Sequence, residues 1–547
     1  MPRDPRAFER HGNPAYRLLR GVHDPLIRRF ERAVADPEQA QRRLLASILN
    51  GLRGTAFSRD HGLDGVRSVE ELRARLPVGR YDRFEPYIQR IARGERRVLT
   101  RQPVIHFLET SGTTGPAKWI PVTRAWASGV SDAQTLWVLG LVREHASLAQ
   151  GAALTLVSPA VKGRSPSGIP YGSNTGRMHL AQPWWVRRRY PVPYEAYCLP
   201  DPEQRLYAVL RFALQADVRS ITTANPTTVL LIARKLQEHA AALAADLEGG
   251  SLEHGPAASL SPSLRAPLLP TLRRTPAPMD WRPAQLWGLR VVNCWKGGLA
   301  SWFLPRLAPA LGAHVPVREV GISASESFLA VPLSGVEDAC VAWPLGEFME
   351  FVADDGSVRG LWQLDQGAEY RVVISGHHGL LRYDLGDVVR IVGRYRDAPA
   401  MVFVRRHGNQ LSATGEKLTE TQLLAAMAAT ASSLALDGAP FTLRLFLDDC
   451  PWYELAIEAP GLDPTRLAVL LDEQLGLHNV EYASKRRSGR LAPLRVRWLP
   501  VGSYALLRRR AVAAGTPEGQ YKHPSMALSA PAWERLMLAA RDQGVTS

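Results

Sequence analysis

The run Val104-Ile-His-Phe-Leu-Glu-Thr-Ser-Gly-Thr-Thr-Gly-Pro-Ala-Lys118 carries the residue types that hold phosphate. Its β-branched and aromatic start, over 104–108, reads as a strand. The strand gives way to glycines and small hydroxyls and closes on one lysine. Glycines let backbone N–H groups turn toward an anion, and the hydroxyls of Thr110, Ser111, Thr113 and Thr114 can donate to phosphate oxygens. Lys118 adds a compact positive charge. The pattern is a nucleotide-phosphate loop but not a Walker A loop, which needs G-x-x-x-x-G-K-[ST].

Three more stretches carry chemistry. In Val320-Gly-Ile-Ser-Ala-Ser-Glu326, small residues after a strand end on a carboxylate. Magnesium arrives on nucleotide phosphates and takes oxygen ligands, which makes Glu326 a candidate metal partner. In Leu381-Arg-Tyr-Asp-Leu-Gly-Asp387, a turn sets an acidic residue where a strand begins, and a carboxylate there can accept both hydroxyls of a ribose. Asp384 competes with Asp387 for that role. The stretch from Phe403 to Lys417 lies at an expected domain junction, where Gly408 and Gly415 supply the backbone freedom of a hinge.

The basic residues sharpen the choice of lysines. Of 67 lysines and arginines only seven are lysine, at 118, 162, 235, 296, 417, 485 and 522. Where arginine is the default, a lysine is expected to serve as a point charge on a flexible stem. Lys118, Lys417 and Lys522 each follow a glycine- or hydroxyl-containing stretch, whereas Lys235 and Lys485 read as surface residues. The net charge of +15 is spread along the chain in short clusters at 187–189, 485–487 and 508–510. Solvated faces are therefore expected, and no nucleic-acid partner. No uncharged apolar run reaches the roughly 18 residues that span a bilayer. The charged start lacks an apolar leader, and the four cysteines (198, 294, 340 and 450) form no C-x-x-C pair. A cytoplasmic protein with reduced, mostly buried thiols and no membrane partner is expected.

These side chains need a scaffold, and 547 residues exceed one ordinary core. Amphipathic helices fill the first hundred residues, one of them opened by Ser68 and Glu71 as a capping box. Between 101 and 230, strands at 152–157 and 220–223 alternate with helices at 204–215 and 227–244, which predicts an α/β layer architecture. A Gly/Pro/Ser-rich excursion is expected over 245–285. Strands resume at 289–293, 315–322, 339–343, 370–374 and 388–392. Beyond 405 the helices 419–430 and 464–475 and the strands 441–447, 452–457 and 494–499 make an α+β unit. The fold class is thus α/β: a large N-terminal domain of layered sheets and helices (1–405) with a smaller mobile α+β C-terminal domain (406–547).

In this order (phosphate loop, S-E, Y-x-x-G-D, hinge) the four stretches resemble the adenylate-forming superfamily. The chain is most similar to its Gretchen-Hagen-type family of acyl-acid amido synthetases. Further blocks agree: Arg75-Leu-Pro-Val, Glu85-Pro-Tyr-Ile, the run from Ser158 to Gly172, Phe348-Met-Glu-Phe351, and Gly519-Gln-Tyr-Lys-His-Pro524. The resemblance covers about residues 40 to 530. It implies ATP and Mg2+ as cofactors, and a small carboxylic acid and an amine, an amino acid, as partners. It implies that Thr110, Ser111, Thr113 and Thr114 hold the ATP phosphates with Lys118 nearby, and that Ser325 and Glu326 form the S-E motif whose glutamate helps bind the metal. Asp387 takes the ribose, Arg406 contacts the nucleotide, and Lys417 and Lys522 reach the phosphates as catalytic lysines. Two departures stand out. Ile322 occupies the place of a family tyrosine, and Gly408 and Ser412 replace a hinge aspartate and lysine of the acyl-CoA ligase branch. The alternatives are ligation to coenzyme A or a carrier protein, and a basic nucleic-acid-binding protein. The acyl pocket is expected in 158–230, where Trp184, Trp185, Tyr190, Tyr194 and Tyr197 form an aromatic cluster.

Overall fold

The computed structural model describes residues 8, 12–110, 118–256, 281–333, 339–408, 410–434, 436, 438–448, 450–459, 461–516, 518 and 521–545. Two compact units emerge. The first comprises Met1–Ala224, Lys235–Trp295 and Val315–Phe403, and the second Asn225–Arg234, Lys296–His314 and Val404–Ser547.

The first unit begins with helices whose starts are written locally. Asn13 caps Pro14–Val22 by accepting from the Ala15 N–H, and Asp36 caps Pro37–Leu52 through the Gln39 N–H; a proline follows each cap. Ser68 caps Val69–Arg75 through the Glu71 N–H, and Glu71 returns a bond to the Arg67 N–H. With the helices Asp24–Ala35, Ala56–Asp60 and Tyr81–Ala92, their buried faces, including Phe30, Leu45, Phe57 and Phe84, join one core with an eight-stranded sheet. Its order is Val358–Gly360, Phe348–Val352, Glu369–Ser375, Tyr383–Tyr395, Ala398–Arg406, Cys340–Ala342, Phe328–Val331 and Ile322–Ser323. A four-stranded sheet of Lys118–Val122, His106–Thr110, Pro170–Gly172 and Gly163–Arg164 carries the phosphate-loop hairpin. A second four-stranded sheet is parallel, in the order Ala152–Thr155, Val218–Thr222, Val291–Asn293 and Val317–Arg318.

Several sequence expectations shift. The 315–322 run is two strands, one in the parallel sheet and one in the antiparallel sheet, broken at Gly321 (φ 108°). A Cβ at Gly321 would stand 2.7 Å from the Phe328 ring, so glycine is required there. The 227–244 helix is two, Pro226–Glu238 and Ala240–Gly249. Lys235 is not a surface residue: it is 6% exposed and pairs with Glu203 and Glu238, both at 2.7 Å. Two anions repay the desolvation of its ammonium. Cys294 and Cys340 are buried, but Cys198 and Cys450 are exposed. Most of the 245–285 excursion lies outside the described residues.

In the second unit, Trp452–Ile457 is flanked by Phe441–Phe446 and Arg495–Trp498. Its alternation sorts the core: Tyr453, Leu455 and Ile457 pack with Glu420–Leu434 and Pro464–His478, whereas Ala456 faces the cluster of Tyr504, Leu507 and Trp533. No helix among the described residues is long and apolar enough to cross a membrane.

Candidate active site

The hairpin sets the geometry. Thr110 ends one strand directly opposite Lys118, which starts the next. Ser111, Thr113 and Thr114 lie outside the described residues. Lys118 is exposed, and its Nζ stands 5.2 Å from the centroid of the Tyr81 ring. Tyr81, from helix Tyr81–Ala92, accepts the Trp119 N–H at 2.9 Å and donates to the Trp119 carbonyl at 3.3 Å. Burial, with the charge of Glu326 contributing, pushes the Tyr81 phenol up to about 12. It therefore stays a neutral clamp on the base of the loop.

Glu326 occupies the tight turn between Ile322–Ser323 and Phe328–Val331. The Ala324 N–H donates to the Ser327 carbonyl at 2.8 Å, closing the turn with half-buried Ser325 inside it. Two donors converge on the Glu326 carbonyl, the Trp126 Nε1 and the His378 Nε2, each at 3.0 Å. The Leu380 N–H donates to the His378 Nδ1 at 3.2 Å, so the network assigns the ring proton to Nε2. Burial holds His378 down to about 4, which keeps the ring neutral in this role. The backbone thus fixed, the Glu326 carboxylate accepts the Tyr383 hydroxyl at 3.0 Å.

Behind the turn the Ser327 hydroxyl donates to Glu347 at 2.8 Å. Complete burial raises the Glu347 carboxyl to about 8. An unfolded glutamate titrates at its ordinary value of 4.5, so the native protein keeps a proton that the unfolded chain releases. Stability drawn from this group is complete below pH 4.5 and is lost as pH rises toward about 8. Glu347→Gln is expected to raise the unfolding temperature more at pH 8 than at pH 5. Equal shifts at both, in paired thermal scans, contradict the assignment.

Asp384 and Asp387 stand in different surroundings. Against Glu369–Ser375, Val373 pairs with Asp384 but Arg371 pairs with Val388, so the strand bulges in between, at Gly386 (φ 72°). Asp384 Oδ2 takes Arg371 at 2.6 Å and Arg80 at 3.3 Å, while Oδ1 accepts the Gly386 N–H at 2.9 Å. These three bonds tie the Asp384 carboxylate to the bulge and to two arginines. Asp387, buried, follows that bulge on the strand that also bears Tyr383.

Arg406, Lys417 and Lys522 belong to the second unit. Lys417 is exposed at the tip of a loop, in the left-handed region (φ 45°), with its N–H on the Ser412 hydroxyl. Buried Glu416 braces that loop: it accepts the Ala413 and Thr414 N–H groups, each at 2.8 Å, and the Tyr453 hydroxyl. Lys522 is exposed between two anchors. The Tyr521 carbonyl accepts Asn225 Nδ2, and His523 Nε2 meets the Phe441 carbonyl at 2.7 Å. Arg406 ends the strand Ala398–Arg406 and is exposed. The expected aromatic cluster divides. Tyr190, Tyr194 and Tyr197 surround His179 at 4.7 to 5.9 Å between ring centroids, whereas Trp184 and Trp185 are exposed.

Models of the GH3 family match the chain in three consecutive parts: its N-terminal domain over residues 26–312, its central domain over 340–406 and its C-terminal domain over 421–531. The chain belongs to the GH3 family.

A GH3 protein of Oryza sativa subsp. japonica, named as a probable indole-3-acetic acid-amido synthetase, is 27% identical over 578 residues, covering 97% of this chain and 94% of its own. A solved GH3.15 acyl acid amido synthetase in complex with 2,4-DB superposes with a TM-score of 0.81 at 21% identity, over 94% and 95% of the two chains. A 2-hydroxyisobutyryl-CoA ligase in its postadenylation state superposes more loosely, at 0.53 and 11% identity over 92% and 91%. The fold is therefore the mixed α/β fold of GH3 and adenylate-forming enzymes, with a smaller C-terminal domain. Within this GH3 chain Ile322 is 6% exposed and joins the core of the first unit. Tyr81, Trp126, Tyr383 and His378 escaped the sequence reading. Only Tyr383 carried a signal, as the first residue of Y-x-x-G-D.

Proposed function

We propose that this GH3 protein is a carbon–nitrogen ligase that adenylates a carboxylic acid with ATP and transfers the acyl group to an amino acid. The observation that carries the reading is the convergence of Lys118, Tyr81, Glu326 and Tyr383 next to the Thr110–Lys118 strand pair, on the unit that also holds Asp387. A carboxylate is a poor electrophile because its charge repels nucleophiles and its leaving group is oxide. Its oxygen attacks the α-phosphorus, the bond to the β-phosphate oxygen breaks, and pyrophosphate leaves. The neutral amine nitrogen then attacks the acyl carbon, AMP departs with the bonding pair, and the nitrogen's extra proton passes to solvent, leaving an amide.

Two anions must share the site, and fixed cations offset their repulsion. Thr110, Ser111, Thr113, Thr114 and Lys118 take the phosphates, Ser325 of the S-E motif joins the nucleotide site, and Asp387 takes the ribose. Arg406 contacts the nucleotide, and Lys417 and Lys522 supply charge for the adenylation step. Among the described residues no group of three histidine, cysteine or acidic side chains could cage a metal. A single carboxylate, Glu326, with phosphate oxygens and water completing the shell fits Mg2+ carried on the nucleotide. Such an ion would neutralise charge building on the transferring phosphate. The acid and amine classes are supported by the relatives' names and by the 2,4-DB complex.

The test is pyrophosphate exchange across a panel of organic acids, then mass spectrometry of products formed with mixed amino acids. Amides are expected; thioesters formed on added coenzyme A would instead favour the ligase branch that shares the fold. Lys118→Ala and Asp387→Ala are expected to raise the ATP KM about tenfold, the worth of one charge-assisted hydrogen bond. Wild-type exchange in both variants contradicts the site assignment.

A further inference from the structure

Helix Asn174–Ala181 presents Arg177 half-buried. The Nε and Nη2 of its guanidinium donate to the Asn174 side-chain oxygen at 3.2 and 2.9 Å, so one edge of the fork is spent on a neutral amide. Its face lies on the indole of Trp126, with Cζ 5.6 Å from the ring centroid. Among the described residues no carboxylate pairs with it. Burial pulls its pKa down, the sign of a cation that has shed water without gaining an anion.

A second unmet group lies beside it. His106 is 5% exposed and bonds to the backbone of Ala160, yet its Nε2 has no hydrogen-bond partner. Burial first, then the charge of Arg177, hold this imidazole down to about 4, so it stays neutral and sets no second cation beside Arg177. The helix is held close by glycines. A Cβ at Gly172 would stand 2.3 Å from the Ala160 carbonyl, and one at Gly176 would stand 2.1 Å from the Ser158 carbonyl. Trp126, on which Arg177 stacks, is the same residue whose Nε1 holds the Glu326 carbonyl. The uncompensated cation and the Glu326 turn thus lie against one indole.

We propose that Arg177 receives the carboxylate of the organic acid substrate through its Nη1–Nη2 edge, with Asn174 and Trp126 fixing the plane of the fork. The assignment rests on the ligase reading above. A guanidinium edge matches both oxygens of a carboxylate, which a lysine does not. The pair is strongest in the ground state and weakens once the carboxylate charge is lost to the anhydride. Arg177 therefore governs capture of the acid more than transfer to the amine. It also rejects esters and amides of the same acid, which bring no charge to repay its desolvation.

The experiment compares wild type, Arg177→Gln, Arg177→Lys and Asn174→Ala in pyrophosphate exchange with benzoate, phenylacetate, indole-3-acetate and 4-phenylbutanoate, each titrated against fixed ATP and the reverse. Arg177→Gln is expected to raise the acid KM about 10- to 100-fold, the range for a hydrogen bond to a charged group. The ATP KM stays unchanged, and Arg177→Lys recovers part of the loss. An acid KM equal to wild type, or an ATP KM rising in step with it, overturns the assignment. Should Arg177→Gln fail to fold, Arg177→Lys and Asn174→Ala carry the same comparison, since each keeps the cation or its seat. No exchange by the wild type with any of the acids overturns the ligase reading itself, an outcome distinct from failure of Arg177 alone.

Discussion

Glu326→Gln is expected to lower acid-dependent pyrophosphate exchange by about 100- to 1,000-fold, the usual loss when one electrostatic partner of a developing charge is removed. The substitution is nearly isosteric, and its amide oxygen can still accept the Tyr383 hydroxyl that Glu326 takes at 3.0 Å. The turn itself is held from behind by Trp126 and His378 on the carbonyl, which glutamine leaves untouched. What disappears is the negative charge, and with it the only protein carboxylate of the turn. The unfolding temperature should therefore stay near wild type while the Mg2+ concentration for half-maximal exchange rises. Tyr383→Phe supplies the graded comparison: it keeps the charge, removes one hydroxyl that orients the carboxylate, and should cost about tenfold or less. Exchange by Glu326→Gln close to the wild-type rate, at unchanged Mg2+ requirement, would remove Glu326 from the chemistry.

The strand before the hydroxyl-rich run was legible from its β-branched and aromatic residues, although it lies at His106–Thr110 rather than 104–108, and its partner Lys118–Val122 was not read. The strand Trp452–Ile457 was also legible, as a short run of aromatic and apolar residues. By contrast, Ile322–Ser323 and Val317–Arg318 read as one strand since nothing in their apolar pattern says that Gly321 sends the chain from one sheet to another. The lysine scarcity argument worked by elimination and failed at Lys235, where two glutamates from helical positions make burial tolerable. Trp126 and His378 were invisible for a related reason. Each acts on a backbone carbonyl distant in sequence, at separations of 200 and 52 residues. A bond to a carbonyl leaves no trace in the residue type of the acceptor. Asp384 and Asp387 are alike in sequence, and only the bulge at Gly386 and the two arginines on Asp384 tell them apart.

Glu350→Ala is expected to destabilise the first unit by about 3–5 kcal/mol, the cost of leaving a buried charge without its partner. Glu350 is 1% exposed and accepts Arg73 Nε at 2.8 Å and Arg382 Nε at 2.9 Å, one on each oxygen. Arg382 is itself buried, and it adopts a left-handed backbone (φ 47°) that costs a non-glycine residue about 1 kcal/mol. It is held there by the Ser375 hydroxyl on its N–H at 2.9 Å and by its Nη1 on the Leu76 carbonyl at 2.6 Å. Since Tyr383 is the next residue, the ion pair fixes the start of the strand that reaches Glu326 and bears Asp387. Adding Arg382→Met to Glu350→Ala should restore part of the loss, because Arg382 is then not left buried and unpaired, and only the half-buried Arg73 loses its carboxylate. Chemical denaturation followed by tryptophan fluorescence measures each variant and closes the double-mutant cycle. A double variant as unstable as the sum of its singles would show that the pair contributes no coupling, and that Arg382 is held by its carbonyl contacts alone.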